Sequence, residues 1–259
     1  MARRFDAVLF DLDDTLWHFD DAPPPAEIAA AMASRIEAVI ASWGEQRPAI
    51  GYAELDLVLF EAQLAAEAHA TDHRVPDLDA VFVRELGRVG VLASHAQARQ
   101  LRDAMLADPT FARPRLFDGV IETLGALKDG ELRLAAVTDR SHAATLLAAE
   151  FEHHGLHEYF DVSVTAGDTG WRKPHPASIE RALASLGVRA DRAAMVGDQP
   201  SRDVAGARAA GVTSVLVRHS GRPERPIGGP HEEPDLVVGS IAELTALLGD
   251  GSPAGIVRP

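Results

Sequence analysis

An apolar run that breaks abruptly into carboxylates, FDAVLFDLDDTL at positions 5–16, constrains the fold of this chain more than any other segment. Its first half is rich in Val, Leu and Phe, which is typical of a strand buried on both faces of a parallel sheet. Ligands of open α/β sheets bind at the carboxyl ends of such strands. Asp11 and Asp13 are expected there, and a divalent cation would offset their mutual repulsion. The alternative is an ordinary polar turn, in which Asp is also common.

Residues 17–112 are predicted to form an all-helical block. After the break at DDAPPP, apolar residues recur at helical spacing in four segments, at 26–43, 52–69, 78–89 and 95–106. A helical block between strands indicates a separate subdomain. The predicted organisation is therefore a first core segment at 1–16, a helical domain at 17–112, and the remaining core at 113–259. The tail from about Gly249 is expected to be mobile.

The second half of the chain alternates between strand and helix patterns. Predicted strands lie at 132–137, 162–165, 193–196, 213–217 and 236–238, and predicted helices at 120–128, 141–153, 176–186, 201–210 and 241–248. Such alternation predicts an α/β fold with a doubly wound, mainly parallel, Rossmann-like sheet into which the all-helical domain is inserted. The loop at 220–234, SGRPERPIGGPHEEP, is predicted only to be irregular.

The net charge of the chain makes some classes of binding partner less expected than others. The formal net charge is −14, which argues against nucleic-acid binding and against adhesion to anionic membranes. A phosphorylated substrate would need local cations to offset this field. Cysteine is absent, which excludes thiol chemistry and fits a reducing compartment. The N-terminal apolar run is too short for a signal peptide or a membrane span, so we expect a cytoplasmic location.

Polar residues stand at the carboxyl ends of four predicted strands or in the loops that follow them. They are Asp11, Asp13 and Thr15; Thr138; Lys173; and Gly197, Asp198 and Asp203. Each group alone has an ordinary explanation, such as a helix cap, a surface lysine or a turn. Parallel strands, however, end at one edge of a sheet, so all four groups are expected to meet there.

The four groups together resemble the signature of the haloacid dehalogenase-like superfamily. The family pattern is D-x-D-x-T at 11–15, a Thr ending a hydrophobic strand at 138, Lys-Pro at 173–174, and G-D-x-x-x-x-D at 197–203. The match covers nearly the whole chain in the family's order. The helical block is similar to the helical cap domain of the family, which closes over the site and excludes water.

The resemblance implies hydrolysis of a phosphomonoester through an aspartyl-phosphate. Asp11 would be the nucleophile, and Asp13 the general acid and then the general base. Lys173 and Thr138 would bind phosphoryl oxygens. The implied cofactor is Mg²⁺, and its implied ligands are Asp11, the backbone carbonyl of Asp13, Asp198 and Asp203.

Asp13 favours phosphoryl transfer over dehalogenation, because family members that cleave carbon–halogen bonds lack a carboxylate at this position. The predicted partner is a small phosphorylated metabolite, with no nucleic acid and no membrane. Residues expected near the substrate are Thr15, Trp17, Asp139 and Arg140. Trp17 has an alternative role in simple packing.

The second motif departs from the family pattern. Asn-Gly often follows the motif's Thr, whereas this chain has Asp139-Arg140. Arg140 would either compensate the charge of Asp139 and help to bind substrate, or form a surface ion pair. Two other functions stay open: a phosphotransferase or phosphomutase, and a catalytically idle binding or regulatory member. The sequence does not decide between a monomer and a homodimer.

Overall fold

The structure is a computed structural model that describes residues 4–70, 72–106 and 113–248. The predicted mobile tail from Gly249 lies outside the described residues, as does the end of the predicted helical domain at 107–112. The chain divides into two compact units. One comprises Met1–Asp20 and Pro114–Pro259, and the other comprises Asp21–Arg113.

The Asp21–Arg113 unit, hereafter the helical unit, contains four α-helices within its described residues. They are α1 (Pro25–Ala41), α2 (Tyr52–His69), α3 (Leu78–Arg88) and α4 (His95–Leu106). Their buried faces form one apolar cluster that includes Ile36, Leu59, Phe82 and Leu101. These helices follow the predicted segments closely, because a 3.6-residue apolar period is the strongest sequence signal for a helix. No helix in the described part of the chain is long and apolar enough to cross a membrane.

The other unit, hereafter the core unit, is built on a parallel sheet. Its strands are β1 (Ala7–Phe10), β2 (Trp17–His18), β3 (Arg115–Leu116), β4 (Arg133–Thr138), β5 (Val162–Thr165), β6 (Ala193–Gly197), β7 (Thr213–Val217) and β8 (Leu236–Val238). Six of them form one sheet in the order β5-β4-β1-β6-β7-β8, and every neighbouring pair is parallel. β1 lies between β4 and β6, where the order of strands reverses, which is where open α/β sheets bind ligands.

Side chains alternate between the two faces of this sheet, and both faces are buried. On β1, Val8 and Phe10 belong to one apolar cluster, while Ala7 and Leu9 belong to the other. This double burial explains the unbroken apolar run in the sequence, since a strand covered on both sides has no solvent-facing positions.

Six helices belong to the core unit as described: α5 (Val120–Asp129), α6 (Ala148–His154), α7 (Ala166–Thr169), α8 (Ala177–Leu186), α9 (Ala205–Ala210) and α10 (Leu244–Leu248). α5, α6 and α10 contribute to one apolar cluster, and α8 and α9 contribute to the other. The predicted fold class, a doubly wound α/β fold with a parallel sheet, is confirmed.

Three predicted core segments differ from the observed ones. The helix predicted at 141–153 begins later, with a 3₁₀ turn at Ala144–Leu147 before α6. The predicted loop after β5 contains the short α7. This helix begins with a capping box, in which the side chains of Thr165 and Asp168 each accept from the other residue's backbone N–H. The helix predicted at 201–210 opens with a π-helical segment, Pro200–Val204, before α9.

The segment predicted as an all-helical block at 17–112 starts instead with a strand. β2 pairs antiparallel with β3, and Trp17 stands opposite Leu116. Both strands belong to the core unit, so the helical unit begins after Asp20. Two residues are too few for strand periodicity to show in the sequence, and their partner is about a hundred residues away.

Candidate active site

The carboxyl edge of the sheet brings together side chains from three motifs. Asp11 follows β1 directly, Thr138 is the last residue of β4, and Asp198 follows β6. The N–H of Asp11 donates to the carbonyl of Val196 at 2.9 Å, which continues the β1–β6 ladder by one residue. Asp11 and Thr138 are buried, with exposed fractions of 6% and 2%. These three side chains are therefore held at the ends of strands.

Lys173 lies at the centre of this site with all three of its N–H donors engaged. Its Nζ is 2.7 Å from Oδ1 of Asp11, 2.6 Å from Oδ1 of Asp203 and 3.1 Å from the carbonyl oxygen of Val137. Burial alone would lower the pKa of Lys173, but the Asp11 and Asp203 carboxylates outweigh it and raise that pKa. The side chain is thus a fixed cation between two carboxylates. It is not a surface lysine.

Asp203 reaches this position because Gly197 has no side chain. A Cβ on Gly197 would lie 2.2–2.5 Å from the side chain of Asp203. Oδ1 of Asp203 accepts from Lys173, and Oδ2 accepts from the backbone N–H of Gln199 at 2.9 Å. Gly197 therefore does more than form a turn after β6, because its missing side chain leaves space for the buried carboxylate of Asp203.

Three carboxylates form a buried acidic cluster that could hold a metal ion. One carboxylate oxygen from each of Asp11, Asp198 and Asp203 lies within 4.8 Å of the others. Oδ1 of Asp198 is buried and has no hydrogen-bond partner among the described residues, while Oδ2 accepts from Nε of Arg225 at 2.6 Å. Mg²⁺ and Ca²⁺ bind hard carboxylate oxygens, and Oδ1 of Asp198 is such an oxygen with no hydrogen bond from a described residue to compete with an ion. The residues present therefore fit such an ion.

The acidic cluster shifts the protonation of its members. Burial raises the pKa of Asp198 to about 6, and the neighbouring Asp203 carboxylate adds to the rise, while Arg225 opposes it. Burial also raises the pKa of Asp11 well above its usual range; the Lys173 ammonium opposes this rise and Asp203 reinforces it. A bound cation would favour the ionised form of both carboxylates.

The Asp13 carboxylate is hydrogen-bonded by a different set of partners from those of the acidic cluster. Oδ1 accepts from Nη2 of Arg140 at 2.7 Å and from Nε1 of Trp17 at 2.8 Å, and Oδ2 accepts from Nε of Arg140 at 3.2 Å. Burial would raise the pKa of Asp13, but Arg140 outweighs it and lowers that pKa. The side chain of Asp13 is therefore no member of the candidate metal cluster. Only its backbone carbonyl stays a predicted ligand.

Two residues expected to bind substrate are completely buried. The side chain of Trp17 packs against Phe151 and His154 and donates its indole N–H to Asp13. Thr15 has no exposed surface, its carbonyl accepts from Nε2 of His219, and its hydroxyl has no hydrogen-bond partner within the described residues. Neither residue has exposed surface in this structure, so their contact with substrate stays a prediction.

Asp139 and Arg140 also have partners other than those expected. Oδ1 of Asp139 accepts from the backbone N–H of Lys173 at 2.7 Å, and Oδ2 lies 3.5 Å from Nη1 of Arg202. Burial raises the pKa of Asp139. Arg140 is no counter-charge for Asp139, since it bonds Asp13 and Glu150 instead. Asp139 therefore anchors the Lys173 backbone, and the expected compensation within the pair is wrong.

The sequence analysis did not find two charged residues, outside the motifs, that bond residues of the site. Arg225, in the loop after β7, bonds Asp198 and also lies 3.1 Å from Oδ2 of Asp14. Glu150, on α6, bonds Arg140. Neither residue belongs to a motif, and charged residues in loops and on helices are ordinary. Their only available signal was an arginine in a Gly/Pro-rich loop, which does not indicate a partner.

Comparisons with known proteins give the family and the fold that this chain resembles. A family model described as haloacid dehalogenase-like hydrolase matches residues 5–211. The chain is 29% identical over 255 residues to a phosphoserine phosphatase of Thermus thermophilus, across 92% of this chain and 96% of that protein. It is 34% identical over 248 residues to a plasmid phosphoglycolate phosphatase of Cupriavidus necator, across 93% and 92%. The crystal structure of a 2-haloacid dehalogenase from Pseudomonas syringae pv. tomato matches with a TM-score of 0.63 at 27% identity, across 94% and 98%.

Proposed function

The chain belongs to the haloacid dehalogenase-like hydrolase family and is an enzyme of that family, and from this premise we propose that it hydrolyses a small phosphomonoester with the help of Mg²⁺. Its relatives include both phosphatases and a dehalogenase, so the family alone does not choose between the two reactions. The observation that carries the choice is Asp13, a second carboxylate two positions after the candidate nucleophile. A phosphate ester needs a proton for its leaving alcohol, whereas a halide leaves without one.

In the first step of the proposed mechanism, Asp11 attacks phosphorus. Oδ1 of Asp11 is held by Lys173, and Oδ2 has no hydrogen bond to any described residue, which leaves Oδ2 as the attacking atom. A bond forms between Oδ2 and phosphorus as the bond from phosphorus to the leaving oxygen breaks. Asp13, protonated once the negative phosphoryl group is bound beside it and opposes the lowering of its pKa by Arg140, gives its proton to that oxygen, so that a neutral alcohol departs.

In the second step, water cleaves the aspartyl-phosphate. The Asp13 carboxylate takes a proton from the water as its oxygen attacks phosphorus, and the phosphate leaves with the regeneration of the Asp11 carboxylate. Lys173 orients Asp11 through both steps and neutralises part of its charge. The Thr138 hydroxyl, at the end of β4, is the proposed donor to a phosphoryl oxygen, because the three N–H groups of Lys173 already have acceptors.

Mg²⁺ would be held by Asp11, Asp198 and Asp203, with the carbonyl of Asp13 as a further predicted ligand. When bound, the ion would neutralise negative charge on the phosphoryl group and on the carboxylate that attacks it. Arg225 leaves Oδ1 of Asp198 free for such a role, because it occupies only Oδ2.

The proposed substrate is a small phosphorylated metabolite. Phosphoserine, phosphoglycolate and ribulose-1,5-bisphosphate appear in the names of the relatives and are the first compounds to try. A cytoplasmic location stays a prediction.

The function is tested by phosphate release from p-nitrophenyl phosphate and from a panel of phosphomonoesters, with Mg²⁺ or with EDTA. We expect release by the wild type that EDTA abolishes. Asp11→Asn should reduce release by at least about 10⁴-fold, since it removes the nucleophile while preserving shape. A matched control is Asp191→Asn, which changes an exposed aspartate that pairs with Arg189.

Two outcomes would contradict this proposal. Release that survives in Asp11→Asn would mean that another group attacks phosphorus. Phosphate that moves to a second carbon substrate, instead of appearing free, would identify a phosphotransferase or mutase.

A further inference from the structure

Arg140 stands where the family pattern often has glycine, and it makes the most extensive side-chain contact of the site. Its guanidinium bonds both oxygens of Asp13, at 2.7 and 3.2 Å. The remaining nitrogen, Nη1, bonds both oxygens of Glu150, at 2.5 and 2.6 Å. Only 17% of the Arg140 side chain is exposed. This fork-to-fork pairing fixes direction as well as distance, which a lysine could not do.

Trp17 completes the arrangement from the other side. Its indole N–H bonds Oδ1 of Asp13, and its ring lies 5.7 Å from the guanidinium carbon of Arg140. The tryptophan is itself fixed by packing against Phe151 and a stacked His154. Asp13 thus receives three hydrogen bonds from two rigid donors, which together hold its partly buried carboxylate in one orientation.

We propose that Arg140, supported by Glu150, is the positioning residue that holds Asp13 in the orientation from which it exchanges protons with the leaving oxygen and with water. The inference rests on the proposed function for the role of Asp13, and on the geometry alone for the contact. Arg140 does not touch the substrate in this assignment. It acts through Asp13, because misplacing a catalytic group by about 1 Å costs about 100-fold in rate.

Leaving-group chemistry separates this role from a merely structural one. An alkyl phosphomonoester such as glycerol 2-phosphate needs a proton on its leaving oxygen, whereas p-nitrophenolate departs with little assistance. In Arg140→Gln we expect kcat/KM for glycerol 2-phosphate to fall by about 100-fold. The value for p-nitrophenyl phosphate should fall by about 10-fold or less. An equal loss on both substrates would overturn the proposal.

Charge-balanced variants guard against a failure to fold. Arg140→Gln alone leaves Glu150 without its partner, so Arg140→Gln/Glu150→Gln is made beside it and should show the same selective loss. Arg140→Lys should recover only part of the alkyl activity, since an ammonium cannot bond both oxygens of Asp13 in the plane of the fork. Arg192→Gln is the matched control. It removes another two-point arginine–aspartate pair, to Asp6, at the opposite end of β1, and should leave both activities unchanged.

A double-mutant cycle tests whether Arg140 acts through Asp13. In an Asp13→Asn background, Arg140→Gln should cause almost no further loss on glycerol 2-phosphate, because the residue to be positioned has already been disabled. Losses that multiply in the double variant would show an independent role and overturn the proposal.

The indole N–H of Trp17 supplies a readout that needs no activity. The chain has three tryptophans, so the Trp17 signal in an NMR spectrum is identified by its loss in Trp17→Phe. In Arg140→Gln this resonance should move toward its position in Asp13→Ala, in which the acceptor is absent. A resonance that stays in place would overturn the proposal. If the wild type hydrolyses neither substrate, the proposed function fails, and the indole resonance alone decides whether Arg140 positions Asp13.

Discussion

A single missing side chain decides whether the acidic cluster can form. The Cβ of an alanine at 197 would lie 2.2 Å from Cγ of Asp203, which is far inside contact distance. Asp203 cannot retreat freely, because Lys173 and the N–H of Gln199 hold its two oxygens. The glycine is therefore required for close approach rather than for an unusual backbone angle.

Gly197→Ala should accordingly displace Asp203 and with it the partner of Lys173. We expect a loss of about 1–3 kcal/mol in the free energy of unfolding, measured by urea denaturation, since overpacking in a buried site costs that much. Phosphate release should fall in parallel. Gly87→Ala is the control, because its Cβ meets nothing within 4 Å and alanine favours the helix in which it lies. Equal stability of the wild type and Gly197→Ala would refute the steric argument.

At the residue scale, the sequence predicts the position of a side chain well when that residue stands at the end of a strand. Asp11, Thr138 and Asp198 were expected at one edge because parallel strands end together, and the structure puts them there. Partners were not predictable in the same way. Arg140 bonds a residue 127 positions away, and Arg225 bonds one 27 positions away. A pattern of residue types carries no information about which long cationic side chain folds back onto which carboxylate.

At the scale of elements, α6 carries a histidine that is kept neutral. His154 is half-buried, stacks on Trp17 at a centroid distance of 5.3 Å, and its Nε2 has no hydrogen-bond partner among the described residues. Burial lowers its pKa from 6.5 to about 4, and the nearby His153 contributes. The histidine thus packs as an aromatic ring at neutral pH.

The pH dependence of stability follows from this shift. Between pH 6.5 and 4 the unfolded chain binds a proton at His154 and the folded chain does not. Unfolding therefore takes up a proton, and stability falls as the pH is lowered through that window. His154→Phe keeps the stacked ring and should lose less stability between pH 7 and pH 5, measured by the urea midpoint. His157→Phe, at an exposed position, should behave as the wild type. Parallel losses in all three proteins would exclude His154 as a source.

Elements differed in how well the sequence predicted them. α1 to α4 and the strands of the main sheet follow from periodicity and from unbroken apolar runs. Four short elements could not be predicted in this way: the 3₁₀ turn before α6, the π segment before α9, and the two-residue strands β2 and β3. Each is shorter than one period of the signal used to find it, and each depends on contacts made elsewhere in the chain.

At the scale of the whole molecule, the two units have separate apolar cores. The cluster of the helical unit contains only residues of that unit, and the two clusters of the core unit contain only its own. We expect a variant in which residues 21–113 are replaced by a short Gly/Ser linker to fold, because every strand of the main sheet and both of its apolar clusters remain. Far-UV circular dichroism and a cooperative thermal transition would show this. A chain that shows neither would mean that the core unit depends on the helical unit.

The two-residue ribbon of β2 and β3 has a consequence for how such a protein can change over time. The chain leaves the core unit just after β2 and returns to it just before β3, and paired residues of an antiparallel ribbon have Cα atoms about 5 Å apart. Because the segment between β2 and β3 leaves and re-enters the core unit at neighbouring positions, its length can change with little strain on the core unit. The segment between the two junctions can therefore be exchanged during evolution without shifting the register of any strand that carries the candidate catalytic carboxylates.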